Sequence, residues 1–434
     1  MRFALSSLFS DLELRGMEPC GDLRAALSAL CSLGVRVDQA PGELSLAHPA
    51  SWVEAASVNA EDSATLVRML APMAAAAGTC LKLAGSAQLR RRPMTGLVLS
   101  LRSAGVDVRS SPCPTLESEE CLPLQTSGRL MGNSLRVIGR ESSGHVSGFL
   151  MALALMGGGQ LQALEVPSIS YVMLTGWALR RLGFSFQAEL RPAARGWSGT
   201  FEVRPNGGPP RVLDVPGDYL LSAFYASSAC LTGGEVKLTG LYDPPPFPGD
   251  HDVVGLFSQM GASSRFSNGA WIVSCPEPLG ERKKDGPPPL EVSFDDFPDM
   301  PLSLAPMAAL RPLLARGMNR LTTKESDRVT AMREVLSGFG LRVESLSDGL
   351  SLAPARLMPF RFTCRDHRVG MMGASLAVAA GGSVGRAECV SKSDPSFWKR
   401  LEALGGKVVI SDGARLPLEG RCALRPRQGR HRPV

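Results

Sequence analysis

Six times along the chain, a short segment with apolar residues at helical spacing ends in a glycine and passes into a run of alternating polar and apolar residues. The segments are 25–38, 97–109, 173–187, 252–266, 330–345 and 397–409, and their closing glycines are Gly34, Gly105, Gly183, Gly261, Gly340 and Gly405. Apolar residues at i, i+3 and i+4 bury one face of a helix. Glycine then supplies the left-handed residue that ends it. Alternation marks the strand that follows, with one wet face. The change of period is visible in Val335-Leu336-Ser337-Gly338-Phe339-Gly340-Leu341-Arg342-Val343-Glu344. The glycines recur at roughly 65 to 80 residues, too long for a solenoid, so each repeat is a larger α/β module. Six modules divide into two domains of three, and the Pro/Gly-rich stretch 204–210 falls between the third and fourth. The expected domains are 1–210 and 211–418. A basic tail, 419–434, has Pro and Gly but no apolar run and is expected to be disordered.

The remaining composition excludes more than it selects. A chain of 434 residues with 44% hydrophobic residues can bury a core in each of two or three domains. The net charge of +6 is dispersed, which suits small acidic substrates. Five Trp, four Tyr and no aromatic–basic interleaving offer no stacking platform, so a nucleic-acid partner is not expected. The apolar stretches are too short or too interrupted for a membrane span, and no signal peptide opens the chain. Ten cysteines occur without any Cys-x-x-Cys pair, which argues against zinc; reduced, mostly buried thiols of a cytoplasmic protein are expected.

The chemistry-bearing residues cluster at helix starts. Thr323-Lys324-Glu325-Ser326-Asp327-Arg328 precedes the fifth helix, where Ser326 or Asp327 can cap the backbone and the free N–H groups favour an anion. Lys324 and Arg328 add full charges, Arg as a two-pronged donor for phosphate or carboxylate. Glu325, a carboxylate among cations, is placed for acid–base work. Taken alone, such a pentapeptide is more often a solvated helix start. Further signals are Asp366-His367-Arg368 before an apolar helix, Lys392 before the sixth helix and Arg90-Arg91-Arg92-Pro93 before the second. Ser142-Ser143-Gly144-His145 opens another apolar helix, and Phe297-Pro298-Asp299-Met300-Pro301 carries a candidate base or cap. Together they describe a cationic surface for a ligand with more than one negative charge.

In combination these motifs resemble the EPSP synthase (3-phosphoshikimate 1-carboxyvinyltransferase) family, over nearly the whole chain from about Arg2 to about Leu404. The resemblance implies a two-domain inside-out α/β barrel with three βαβαββ units per domain, closing over the substrates. It implies transfer of the enolpyruvyl group of phosphoenolpyruvate to the 5-hydroxyl of shikimate 3-phosphate, with loss of phosphate, in chorismate and aromatic amino acid biosynthesis. Carried over by motif, Arg2, Ser142, Ser143, Ser168, Tyr171, Asp299 and Lys324 hold shikimate 3-phosphate. Ala64, Arg92, Gly144, Arg328, Arg368 and Lys392 lie on phosphoenolpyruvate. Asp299 takes the proton of the attacking hydroxyl, and Glu325 serves proton transfer at the methylene carbon, with Lys324 beside them. No metal or cofactor is implied, and a cytoplasmic monomer is expected.

Three departures from the family pattern carry expectations. The opening Pro-Gly-Ser-Lys-Ser motif is not present, and a start assigned too late in the gene is the expected reason; residues 3–14 then continue as the family's first helix. The family's Ser-Ser-Gln is Ser142-Ser143-Gly144 here, with His145 either compensating or simply packed. Asp62-Ser63-Ala64-Thr65 replaces an Asn-Ala-Gly-Thr motif, Arg68 being retained; the Ala64 methyl crowds a ligand longer than phosphoenolpyruvate, so weak inhibition by glyphosate is expected. Because fold does not secure function, an impaired or repurposed paralogue binding a phosphorylated metabolite is the alternative. A UDP-sugar transferase of related type is disfavoured by the Lys-Glu-Ser-Asp-Arg and Asp-His-Arg motifs.

Overall fold

The computed structural model describes residues 1–114, 116–242, 249–275, 287–324 and 326–410. Glu325 and the tail 419–434 lie outside the described residues. The chain forms two compact units, the first comprising 1–216 with the segment 295–297, the second most of the remainder.

The first unit holds three four-stranded sheets. One contains β1 (Leu12–Arg15), β2 (Arg36–Ala40) and β3 (Glu43–Ala47), accompanied by α1 (Arg2–Leu5) and α2 (Gly21–Ser32). The second interleaves β4 (Ala55–Asn59), α3 (Ala64–Ala77), β5 (Cys80–Ala84), α4 (Thr95–Ser103), β6 (Asp107–Cys113) and β7 (Leu116–Ser127). The third repeats that order with β8 (Ser134–Ile138), α5 (Ser143–Leu155), β9 (Gly159–Val166), α6 (Ile169–Arg181), β10 (Phe184–Pro192) and β11 (Trp197–Pro205). In the latter two, the first and second strands pair in parallel and the last two add antiparallel, giving β4-β5-β7-β6 and β8-β9-β11-β10. The first sheet reaches the same pattern with β12 (Val212–Asp214), which pairs in parallel with β1 some two hundred residues upstream.

The second unit carries α7 (Tyr219–Leu231), β13 (Glu235–Thr239), α8 (Val253–Gln259), β14 (Ser263–Ser267) and β15 (Ala270–Ser274), with the sheet order β13-β15-β14. Next come β16 (Leu290–Ser293), α9 (Met300–Leu304), β17 (Leu313–Arg316), α10 (Arg328–Gly338), β18 (Arg342–Leu346) and β19 (Gly349–Ala353), again as a full βαβαββ module. Last are β20 (Phe360–Thr363), α11 (His367–Ala380), β21 (Gly382–Gly385) and α12 (Phe397–Ala403), where only the parallel pair forms among the described residues.

All six closing glycines adopt left-handed φ values, from 84° at Gly183 to 100° at Gly405. A strand follows the first five; after Gly405, residues 406–410 form none, so the alternation expected through 409 does not become a strand there. Residues 3–14 also depart from expectation. The helix ends with a 3-10 turn, Ser6–Leu8, and β1 begins at Leu12, because Leu12 and Leu14 alternate into the core. No helix among the described residues is long and apolar enough to cross a membrane.

In the first unit, α3 and α5 form the inner helical layer. Ser63 caps α3 by accepting from Leu66 N–H, and Gly78 in the left-handed region ends it. The two backbones meet at Gly148, where an added Cβ lies 2.2 Å from the Arg68 carbonyl oxygen. Gly148→Ala is therefore expected to cost about 1–3 kcal/mol, as overpacking does. Gly255→Ala, in α8 with nothing within 4 Å, is expected to be neutral or slightly stabilising. Urea unfolding of both checks this; equal midpoints contradict it.

Candidate active site

The second unit gathers three of the expected residues, Lys324, Arg328 and Arg368, around the carboxylate of a fourth, Asp299. Asp299 stands at the N-cap position of α9 but caps nothing through its side chain, so its oxygens are turned to other partners. Arg328 Nη1 donates to Asp299 Oδ1 at 2.6 Å, Lys324 Nζ lies 3.5 Å from the same oxygen, and Arg368 Nη2 lies 3.6 Å from Oδ2. The sequence brings them together through helix starts. Asp327 caps α10 by accepting from Thr330 N–H, which fixes Arg328 as its first residue. Asp366 caps α11 by accepting from Arg368 N–H.

Asp366 has a second task that the sequence did not reveal. Arg328 is 1% exposed, and its Nε donates to Asp366 Oδ2 at 2.8 Å while Nη2 reaches Oδ1 at 3.4 Å. A buried guanidinium is tolerable only with such a paired, hydrogen-bonded partner. Arg328 thus bridges two carboxylates, Asp366 behind it and Asp299 in front.

Burial pushes the Asp299 pKa upward, but Lys324, then Arg368, Arg328 and His367, outweigh it and hold the carboxyl well below the usual range. The linked stability has a definite sign. A depressed folded-state pKa contributes stability that is full above the unfolded carboxylate pKa of about 3.9 and is lost as pH falls through the folded value. The stability difference between the parent and Asp299→Asn is therefore expected to be constant from about pH 7 to 5 and to shrink below about pH 4. Urea titrations across that range test it; a difference that grows on acidification contradicts it.

Lys392 is carried separately, at the end of the 3-10 turn Ala387–Lys392. Glu325, expected as a proton-transfer group, lies outside the described residues.

The first unit assembles a second group of expected residues. Arg2 Nε donates to Thr175 Oγ1 at 2.7 Å and Nη2 to the Tyr171 carbonyl at 2.9 Å, tying the chain start to α6. Thr175 Oγ1 and Ser147 Oγ, 2.8 Å apart, continue the link to α5. Ser168, before α6, takes a left-handed φ of 52°; its N–H donates to Asp296 Oδ1 at 3.1 Å and its hydroxyl to the Asp295 carbonyl at 3.4 Å. Ser142 caps α5 by accepting from Gly144 N–H at 3.1 Å, and Ser143 is buried beside it. Ala64 is the buried first residue of α3, and Arg92 follows the turn Leu89–Arg91 ahead of α4, its carbonyl accepting from the Cys121 thiol.

At Gly144 an added Cβ falls 3.1 Å from Arg68 Cδ and 3.2 Å from Ser142 Oγ, so the flexible Arg68 stem has to shift by a few tenths of an ångström to admit one. Arg68 is itself buried. His145, the other candidate at this helix start, is fully buried; its Nδ1 donates to the Ile138 carbonyl at 3.2 Å, and burial, with the Arg68 charge, drives its pKa down to about 3. It is a neutral, packed histidine.

One expectation about cysteine changes. Cys364 and Cys389 are joined in a disulfide, with Cα atoms 6.5 Å apart. Cys113, Cys121, Cys230 and Cys275 are buried free thiols as expected, whereas Cys31 is exposed.

Comparison with known proteins follows this geometry. Residues 5–401 match the family model for EPSP synthase (3-phosphoshikimate 1-carboxyvinyltransferase). A 3-phosphoshikimate 1-carboxyvinyltransferase of Sulfurisphaera tokodaii is 34% identical over 416 residues, 94% of each chain. The enzyme of the same description from Saccharolobus solfataricus is 31% identical over 422 residues, again 94% of each. Among solved structures, EPSP synthase from Acinetobacter baumannii superposes with a TM-score of 0.68 at 20% identity, covering 94% of both chains, which shows the shared α/β fold.

Proposed function

The chain belongs to the EPSP synthase family and transfers the enolpyruvyl group of phosphoenolpyruvate to the 5-hydroxyl of shikimate 3-phosphate, and from that premise we propose that Asp299 accepts the proton of the attacking hydroxyl. The observation that carries this role is the ring of Arg328, Lys324 and Arg368 within 2.6–3.6 Å of its carboxylate. Without substrate the three cations hold Asp299 ionised, and as a base it is then too weak. Both substrates are phosphorylated carboxylates. As they draw Lys324, Arg328 and Arg368 toward their own oxygens, the field on Asp299 weakens and its basicity rises where the hydroxyl proton must go. The cations that leave Asp299 stabilise the tetrahedral intermediate and the departing phosphate.

In the same reading, Arg328, Arg368, Lys392 and Arg92 bind phosphoenolpyruvate, with Ala64 and Gly144 shaping its surroundings at two helix starts. Arg2, Ser142, Ser143, Ser168, Tyr171, Asp299 and Lys324 bind shikimate 3-phosphate, and Glu325 serves the methylene carbon. No step requires a metal or cofactor, since arginine and lysine neutralise the phosphates. The reaction runs in the cytoplasm, where doubly anionic metabolites are made and retained, on a single chain.

Asp299→Asn is expected to lower kcat by about 10²- to 10⁴-fold, the usual share of a general base. Phosphate release from the two substrates measures this; a kcat within threefold of the parent removes Asp299 from the role. The Ala64 methyl is expected to keep the glyphosate inhibition constant above the KM for phosphoenolpyruvate, and Ala64→Gly to lower it. An inhibition constant at or below that KM in the parent contradicts the crowding.

A further inference from the structure

Lys392 ends a six-residue 3-10 turn, Ala387–Lys392. Such turns have poor hydrogen-bond geometry and hold their shape through what they pack on. Three attachments surround this one. Trp398 Nε1 donates to the Ala387 carbonyl at 3.0 Å. Two residues past Lys392, buried Asp394 accepts from the Tyr225 hydroxyl at 2.5 Å and pairs with Arg400, and its N–H donates to the Val390 carbonyl. Between them, Cys389 is bonded to Cys364.

The bond connects two segments to which phosphoenolpyruvate contacts are assigned. Cys364 follows β20 and stands two residues before Asp366, which caps α11 and forks with Arg328; Arg368 lies in the first turn of the same helix. Residues three apart eclipse in a 3-10 turn, so Cys389 and Lys392 share one side of it. The first turn of α11 is packed against the sulfurs: a Cβ at Gly370 falls 2.6 Å from Cys364 Sγ and 3.4 Å from Cys389 Sγ.

We propose that the Cys364–Cys389 bond positions Lys392 relative to Arg368, so that phosphoenolpyruvate binding by this enzyme depends on the redox state of that pair. The proposal rests on Lys392 being a phosphoenolpyruvate ligand. Reduction by a dithiol transfers two electrons and two protons to the disulfide, giving two thiols and the oxidised, cyclic form of the reductant. The Cys364 sulfur is 3.3 Å from the Asp366 carbonyl, so the new thiol has an acceptor waiting. Two thiols need about 3.5 Å or more between sulfurs, against about 2.05 Å in the bond. The bond is the covalent tie between this turn and the start of α11, so its loss lets the turn carrying Cys389, and Lys392 with it, shift relative to Arg368. A displacement of about 1 Å at a ligand-binding group can cost about a hundredfold. The two cysteines are positioning residues; neither touches substrate.

The test is kinetic, on the full chain. Lys392→Met comes first and is expected to raise the KM for phosphoenolpyruvate at least tenfold; if it does not, the assignment of Lys392 fails before the disulfide is addressed. Given that result, dithiothreitol-treated parent enzyme is expected to show a KM for phosphoenolpyruvate raised about fivefold or more. The KM for shikimate 3-phosphate and the circular dichroism spectrum should not change. Oxidised glutathione should restore the parent. Cys389→Ser should show the raised KM with or without reductant and should not respond to reoxidation, which sets this pair apart from the other cysteines. If Cys389→Ser fails to fold, reduction and reoxidation of the parent decide. An unchanged KM for phosphoenolpyruvate on reduction, where Lys392→Met does raise it, overturns the proposal. So does a thiol count on denatured, air-oxidised protein that finds Cys364 and Cys389 both free.

Discussion

The arrangement of the charged cluster in the second unit depends on a buried guanidinium between two carboxylates. Arg328 is withdrawn from water and would be strongly destabilising alone. Asp366 meets it with both oxygens and simultaneously caps α11, so one residue fixes the start of a helix and the angle of the arginine. Asp299 takes the remaining face of the guanidinium and, through it, comes within reach of Lys324 and Arg368. Each cation in the cluster is therefore already oriented, and its charge is neutralised by a group that can release it. An anion-binding site kept in this form avoids the repulsion of three bare cations and spares the ligand the cost of ordering them.

The first unit combines two arginines, Arg2 and Arg92, with neutral groups. Ala64, Ser142, Ser143, Gly144, Ser168 and Tyr171 sit at the starts of α3, α5 and α6, where the helix field already favours negative charge. The close approach of α3 to α5 at Gly148 brings the stem of Arg68 against Gly144. The paired hydroxyls of Ser147 and Thr175, with Arg2 beyond them, extend the polar group from α5 to α6.

Much of this was legible in the residues. The six glycines announced left-handed helix ends because the period of the flanking sequence changes at each, and every one has that conformation. Capping of α10 by Ser326 or Asp327 followed from the residue types just ahead of the helix, and Asp327 is the one that caps it. Long-range pairings were not legible. β12 has three residues and no period, yet it completes the sheet of β1. Asp366 stands in a charged motif ahead of an apolar helix, and nothing local says that it neutralises an arginine 38 positions earlier. Cys364 and Cys389 have no spacing that marks a pair, and Tyr225 gives no sign of holding Asp394 from a separate helix. Local signals determined where helices begin, while the partners of their charged residues were determined by which helix starts the fold brings together.

The central claim is that the cations around Asp299 are shared between that carboxylate in the empty enzyme and the substrate anions in the complex. Carbon-13 NMR titration of the aspartate carboxyls of the parent enzyme measures it directly, with Asp299→Asn identifying the signal and phosphoenolpyruvate and shikimate 3-phosphate added in separate samples so that neither is turned over. The account predicts that Asp299 titrates well below the ordinary carboxylate range when the enzyme is empty and moves upward when the substrates bind. A carboxyl that titrates in the ordinary range without ligand, or whose titration does not move when the substrates bind, contradicts it.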